Sequence, residues 1–387
     1  MTFLILFTVA ACFALFGKAL KPKTISWKET GTQICLLAII AGIASFILYD
    51  RNLQDTEIWN GKVLKKAQEK VSCSHDYKCR CHDVCSNRTS YSGSGKNRSS
   101  QTKRECHEEC STCYEHPSGD FDWIVYTSNN EKIEIAREDA QGKREPLRFS
   151  SVKIGEPTAV EHKYKNYLLA APDSVLHSTV TEEQISRFKG LIPEHSKIFD
   201  YYRANQFFPI KISEIDSSDW NQKLSQINAD LGARKQVNVI VMLTSLSPEF
   251  FSVLRAEWKG GKKNDVIVVI GINNDWSPQW METMAWSIDG GFGTRLRQNI
   301  LDLKTVQSAD AVLPIISNIV DKYYQRKPMK DFQYLLSSIQ PTTEQWIICF
   351  MVMIVCSGLL SWFFHRHEIF FERRKYYYRF DRKKFRL

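Results

Sequence analysis

Two uncharged stretches, Gly31 to Tyr49 and Trp346 to Phe364, limit this chain more than any other feature. Each runs 19 residues without an Asp, Glu, Lys or Arg. At about 1.5 Å of rise per helical residue, that length crosses a hydrocarbon core of about 30 Å. Met1 to Gly17 is equally uncharged but shorter. It has no basic n-region and no A-x-A site, so it reads as a retained first span, with cleavage or shallow insertion as the alternative. Lys18, Lys21, Lys23 and Lys28 face only Glu29 between the first two stretches. His365 to Leu387 carries nine Lys/Arg against three Asp/Glu. Positive charge is retained in the cytoplasm. Both basic stretches obey that rule if Met1 and Asp50 to Glu344 lie outside and the C-terminus is cytoplasmic. The expected architecture is a multi-span α-helical membrane protein carrying a large extracytoplasmic α/β domain and a small Cys-rich module.

The formal net charge of +9 over 387 residues would suit nucleic acid, yet the tail alone supplies a surplus of six. The charge therefore reports topology rather than nucleic-acid binding. Basic and aromatic residues alternate from Phe370 to Phe380, which suits anionic headgroups and the membrane interface. Membrane lipids are thus expected partners, through three spans and the basic tail.

Between the spans, residues 50–72 read as a polar, partly helical stalk, and residues 73–116 as a Cys/His-rich module. Ser86 to Ser100, rich in Ser, Gly, Asn and Arg, reads as a mobile loop within it. Residues 117–217 mix strand and helix. Phe121, Trp123, Val125, Ile133 and Ile135 alternate with polar residues around Ser128-Asn129-Asn130, a hairpin pattern. Ser151 to Tyr167 reads as extended, and Thr181 to Tyr202 as a helix capped by Thr181. Residues 326–345 form a juxtamembrane linker.

From 218 to 325 the pattern alternates between helix and buried strand. Asp219 caps a helix whose Trp220, Leu224, Ile227 and Leu231 share a face, with Gly232 closing it. Val237 to Leu243 and Val266 to Ile270 are β-branched apolar runs, expected as adjacent parallel strands buried on both faces. A helix from Pro248 to Trp258 joins them, Met284 to Ile288 is a weaker third strand, and Ala309 to Tyr324 a last helix. With Trp258 to Asp265 (Trp-x-Gly-Gly-Lys-Lys-Asn-Asp) ahead of the second strand, this segment resembles the TPM domain of membrane-tethered bacterial and thylakoid-lumen proteins. Gly290-Gly291-Phe292-Gly293 is the nearest match to that family's Gly-Tyr-Gly. The resemblance implies phosphatase or metal-binding activity. The overall layout is also similar to membrane proteins of tailed bacteriophages.

Seven of the eleven cysteines fall together: Cys73, Cys79, Cys81, Cys85, Cys106, Cys110 and Cys113. His75, His82, His107 and His116 lie among them. Outside the cytoplasm these thiols would pair into three disulfides and leave one over. The alternative is zinc held by the same cysteines and histidines. Cys110-x-x-Cys113 reads as structural, because Glu108 and Glu109 would disfavour its thiolate. Asp265, Asp275 and Asp289 fall near strand ends, where a divalent cation could bind, though solvated loop acids are the plainer reading. Asp265→Asn and Asp289→Asn are accordingly expected to leave folding intact. No Ser-His-Asp, Walker or H-E-x-x-H pattern is present. The expected function is non-catalytic and without a cofactor: an envelope-tethered module that binds a protein partner or assembles a membrane complex. The alternative is a metal-dependent, phosphatase-like hydrolase.

Overall fold

The computed structural model describes residues 2–22, 24–73, 76–92, 99–115, 119–136, 144–171 and 180–367. The basic tail from residue 368, His75, His116 and His177 lie outside them. The chain divides into two compact units, one from the described parts of Met1–Thr56, Lys163–Val180 and Lys327–Leu387, the other from those of Glu57–His162 and Thr181–Arg326.

The first unit is built on α1 (Thr2–Leu20), α2 (Trp27–Leu53) and α10 (Thr343–His367), three helices long and apolar enough to cross a membrane. Ser26 and Glu29 form a reciprocal capping box that starts α2. Small residues let the helices approach: Ala10, Ala14 and Ala41 are buried with Leu6, Leu37 and Met353. Gln33 donates to the Ser357 carbonyl at 3.0 Å and to Ser361 Oγ at 2.9 Å, so a buried amide meets polar partners on the facing helix. The expected linker before α10 contains a 3-10 helix, Met329–Ser338. A short α4 (Tyr167–Ala170) is capped by Asn166, whose Nδ2 also donates to Asp55.

The second unit has two four-stranded sheets. In the first, the order is β5 (Lys132–Ile135), β4 (Asp120–Thr127), β1 (Gln54–Val71) and β6 (Pro157–Lys165). The expected stalk is therefore a long central strand. Its charged residues hid the alternation, but Lys65 to Val71 pair residue by residue with Tyr126 to Asp120. The expected hairpin is present as β4–β5, with Trp123 opposite Ile135 and Val125 opposite Ile133. Phe149 of a short α3 (Leu147–Ser151) covers this core beside Trp123 and Tyr202. The Cys-rich segment forms a separate ribbon, β2 (Asp76–Ser92) paired antiparallel with β3 (Ser99–Tyr114). Strand pairing thus extends through most of the segment expected as a loop.

Helix α5 spans only Glu182–Phe188, with Thr181 and Gln184 forming a capping box. It ends well before Tyr202 because Gly190 turns at φ 80° and Pro193 cannot continue a helix. A small hairpin of β7 (Ile198–Phe199) and β8 (Arg203–Ala204) replaces the expected last turns.

The second sheet runs β12 (Pro278–Ala285), β11 (Asp265–Ile272), β10 (Asn238–Thr244) and β9 (Phe207–Ile210). Both expected apolar strands are present, buried along their whole length, adjacent and parallel. The third strand lies earlier than expected and runs antiparallel to β11. One face packs on α6 (Ser217–Lys235), α8 (Phe292–Leu301) and α9 (Ala309–Tyr323) through Trp220, Leu224, Leu296, Val312 and Ile316. Strand alternation turns Ile240, Met242, Ile267 and Val269 to the other face. The crossover α7 (Glu249–Glu257) buries Phe250, Val253 and Leu254, and Phe250 meets Phe188 of α5 edge-on. Asp216, not Asp219, caps α6, and the helix runs past Gly232 to a left-handed Gln236. Gly232 serves a close approach instead, since a Cβ there would lie 2.5 Å from the Asn60 carbonyl oxygen. Gly260 and Gly261, at φ 75° and 79°, make the expected tight turn into β11.

Candidate functional site

The disulfides follow from ribbon geometry. Cys85 and Cys106 sit directly opposite in the register, and pairs Cys81–Cys110 and Cys79–Cys113 follow outward. An antiparallel ladder permits only this nested order. The pairing uses six thiolates that the zinc alternative would need. His82 and His107 lie exposed on the ribbon. Among the described residues, one group of three His, Cys, Asp or Glu side chains comes within metal-ligating reach, Cys81, Glu108 and Cys110. Its two sulfurs are already joined. Cys110 and Cys113 bond to β2 rather than to each other, which fits the structural reading of the Cys-x-x-Cys. Cys73, buried ahead of the ribbon, is in none of these three bridges.

The three acids do not converge. Asp275 is tied into its own turn by Ser277. Asp289 accepts from the Gly291 backbone, and Gly291 is the N-cap residue of α8, so the glycine run is a strand-to-helix turn. Asp265 is 1% exposed and sits at the start of β11. Of these three acids, it is the one that the fold builds into a larger constellation.

That constellation lies at the N-terminal ends of the parallel strands, opposite the ends where α/β folds usually take ligands. Gln206, Asn238 and Asp265 stand at the starts of β9, β10 and β11. Asp265 Oδ2 accepts from the Lys262 backbone at 2.7 Å and lies 2.8 Å from His195 Nε2. Asp265 Oδ1 accepts from Asn238 Nδ2 at 2.8 Å. Asn238 Oδ1 then accepts from Gln206 Nε2 at 2.7 Å and from Asn60 Nδ2 at 3.0 Å. Gln206 Nε2 also donates to Asn60 Oδ1 at 2.9 Å. Burial disfavours the His195 cation, but the Asp265 charge and hydrogen bond outweigh it and the Ser196 carbonyl adds to them, so the imidazole pKa is raised overall. His195 is also packed against Trp258, whose Nε1 donates to the Pro193 carbonyl.

A second buried set adjoins these strand starts. Glu57 is fully buried and paired with Arg326, and its Oε1 accepts from Trp59 Nε1 at 2.8 Å. Burial holds the Lys263 ammonium below the usual lysine range, with Arg326 adding repulsion. Burial also raises the pKa of the Tyr324 phenol.

Above Gln206 and Asn60 opens a cleft of about 600 Å³. One wall is the first half of α6, with Ser217, Ser218, Asn221 and Gln222. Another is the β7–β8 hairpin, with Phe199, Tyr202 and Arg203. Asn221 is committed to the scaffold: its Oδ1 accepts from the backbone of Gln206 and Phe207. Arg203 pairs with Glu156 at 3.1 Å, so the two charged groups of the lining cancel. Sequence reasoning missed this site because Asn60, Gln206 and Asn238 are far apart in the chain and match no motif. A buried strand opening on Asn, and the next on Asp, was the available clue. Among protein-family models, curated proteins and solved structures, none matches this chain.

Proposed function

We propose that the chain is a membrane-anchored, non-catalytic module whose Cys-rich ribbon and α/β part work outside the cytoplasm, holding a protein partner or helping a membrane complex assemble. The observation that carries this reading is the ladder of three disulfides in a chain that also has three apolar helices of membrane-spanning length. Disulfides persist in oxidising compartments and are rare in the cytosol. Where its side chains are described, at residues 76–87, 104 and 106–114, the ribbon they cross-link is exposed or half-buried, with Tyr77 and Tyr114 about half exposed, so that part has surface to offer rather than a core. The order of helix and strand is the one a TPM-like unit would have. The hydrolase alternative would need carboxylates gathered at one point, and Asp265, Asp275 and Asp289 are each held in separate local networks.

Two measurements test it. Maleimide labelling of Glu183→Cys and Lys384→Cys variants in intact cells should mark Glu183→Cys alone. Labelling of Lys384→Cys alone would put the α/β part in the cytoplasm and end this reading. Mass spectrometry of alkylated, non-reduced protein should find Cys79, Cys81, Cys85, Cys106, Cys110 and Cys113 protected and bridged. Six alkylated thiols together with co-purified zinc would restore the metal account.

A further inference from the structure

The buried polar chain has a direction, and it ends in the cleft. An ionised carboxylate only accepts hydrogen bonds, so Asp265 forces the Asn238 amide to present Nδ2 to it. The other end of that amide, Oδ1, then faces Gln206 as an acceptor and fixes Gln206 Nε2 as the donor. No amide in this series can be flipped without setting donor against donor or acceptor against acceptor. Gln206 is 1% exposed and lines the cleft, and its Oε1 accepts no hydrogen bond among the described residues. The cleft therefore holds an oriented carbonyl oxygen that asks for a donor.

The surroundings narrow what that donor belongs to. Ser217, Ser218 and Gln222 line the same cleft and can both give and accept hydrogen bonds. Phe199 is 46% exposed there, a flat apolar surface in a lining that mixes these polar groups with Pro157, Ala159, Tyr202 and Ala204. With Arg203 neutralised by Glu156, neither an anion nor a cation finds a free countercharge in the lining. A ligand that donates and accepts at close spacing, carries no charge and has an apolar face is a sugar ring. Its hydroxyls meet the amides and serines, and its C–H face packs on the aromatic ring. We propose that this cleft binds an uncharged glycan, with Gln206 Oε1 taking a hydroxyl proton and Phe199 as the stacking platform. The site is separate from the ribbon and does not depend on the partner proposed above.

The test uses the full chain in phosphatidylcholine nanodiscs, which avoids sugar-headed detergents. Maltohexaose, cellohexaose and chitohexaose are titrated by calorimetry and by saturation-transfer NMR. At least one should bind with a Kd below about 1 mM, weak enough to be ordinary for a small polar ligand. Phe199→Ala and Gln222→Ala, both at exposed positions, should each weaken binding at least tenfold while leaving the melting temperature unchanged. Gln206→Leu should abolish binding, and the two surface variants keep the result interpretable if Gln206→Leu does not fold. Absence of binding by all three oligosaccharides at 10-fold higher concentration would overturn the proposal. So would binding that both surface variants leave intact, or binding of a Ser/Gln-rich peptide where no sugar binds.

Discussion

Val268→Asp should leave the second unit unable to fold. Val268 is fully buried in the centre of the sheet, opposite Val241 on β10 and Thr283 on β12. It belongs to the core that α6, α8 and α9 cover. A carboxylate there would meet no donor and would either ionise unpaired or take up a proton, at a cost of several kcal/mol. That is comparable with the whole stability of a typical domain, about 5–15 kcal/mol. Val268→Ala, which only removes two methyl groups, should cost about 2 kcal/mol and keep the fold. Limited proteolysis of the membrane-embedded protein separates the cases. Val268→Asp should expose cleavage sites throughout 181–326, and Val268→Ala should resist. A protease-resistant Val268→Asp would mean that the sheet is not covered on this face.

Asp265→Asn has the second largest expected effect, and burial reverses the sequence-based expectation that it would be harmless. The carboxylate serves three donors through two oxygens. An amide offers one oxygen and turns an NH2 group toward a donor on the other side. Losing a charge-assisted, buried set of bonds in this way should cost about 2–4 kcal/mol. The pH profile supplies a second readout. His195 has a raised pKa in the folded protein, so its contribution is complete below the unfolded value of about 6.5 and is lost as pH rises through the raised folded pKa. The wild-type melting temperature should therefore fall across that window on the alkaline side, and Asp265→Asn should remove this slope. A variant with wild-type stability and an unchanged pH profile would show that the chain from His195 to Gln206 does not hold the strand ends.

What could be read in advance was whatever the solvent imposes locally. The three apolar helices needed only length and absence of charge. The strands at 238–244 and 265–272 showed because burial on both faces demands an unbroken apolar run. The stalk was misread because β1 is half-exposed and presents Lys65, Glu69 and Lys70 to water, so its pairing with β4 left no apolar alternation. The middle of the ribbon, Ser86 to Ser100, was read as a loop although its described part is paired strand, for a related reason: without a core it needs no hydrophobic pattern. One strand clue was present, since Cys79, Cys81 and Cys85 are spaced by even numbers, as residues on one face of a strand are. The cleft depends on Asn60, Glu156, Phe199 and Gln206 meeting from distant segments, and long-range proximity of polar residues has no periodicity to betray it.

The nested bridges also set an order in time. Cys85 and Cys106 close a loop 21 positions long, the shortest of the three. Closing it first leaves Cys81 and Cys110 only four positions further along each arm, so the second closure spans little new chain. Loop-closure entropy then falls with each step, and oxidation should run like a zip from the inner pair outward. Starting from the outer pair, Cys79–Cys113, would close 34 positions at once and leave four thiols free to mispair inside it. On the proposal that the ribbon matures in an oxidising compartment, the cysteines of β2 enter it before those of β3. Early bonds among Cys79, Cys81 and Cys85 are therefore the error that must be reshuffled, and maturation of the ribbon should be paced by thiol–disulfide exchange.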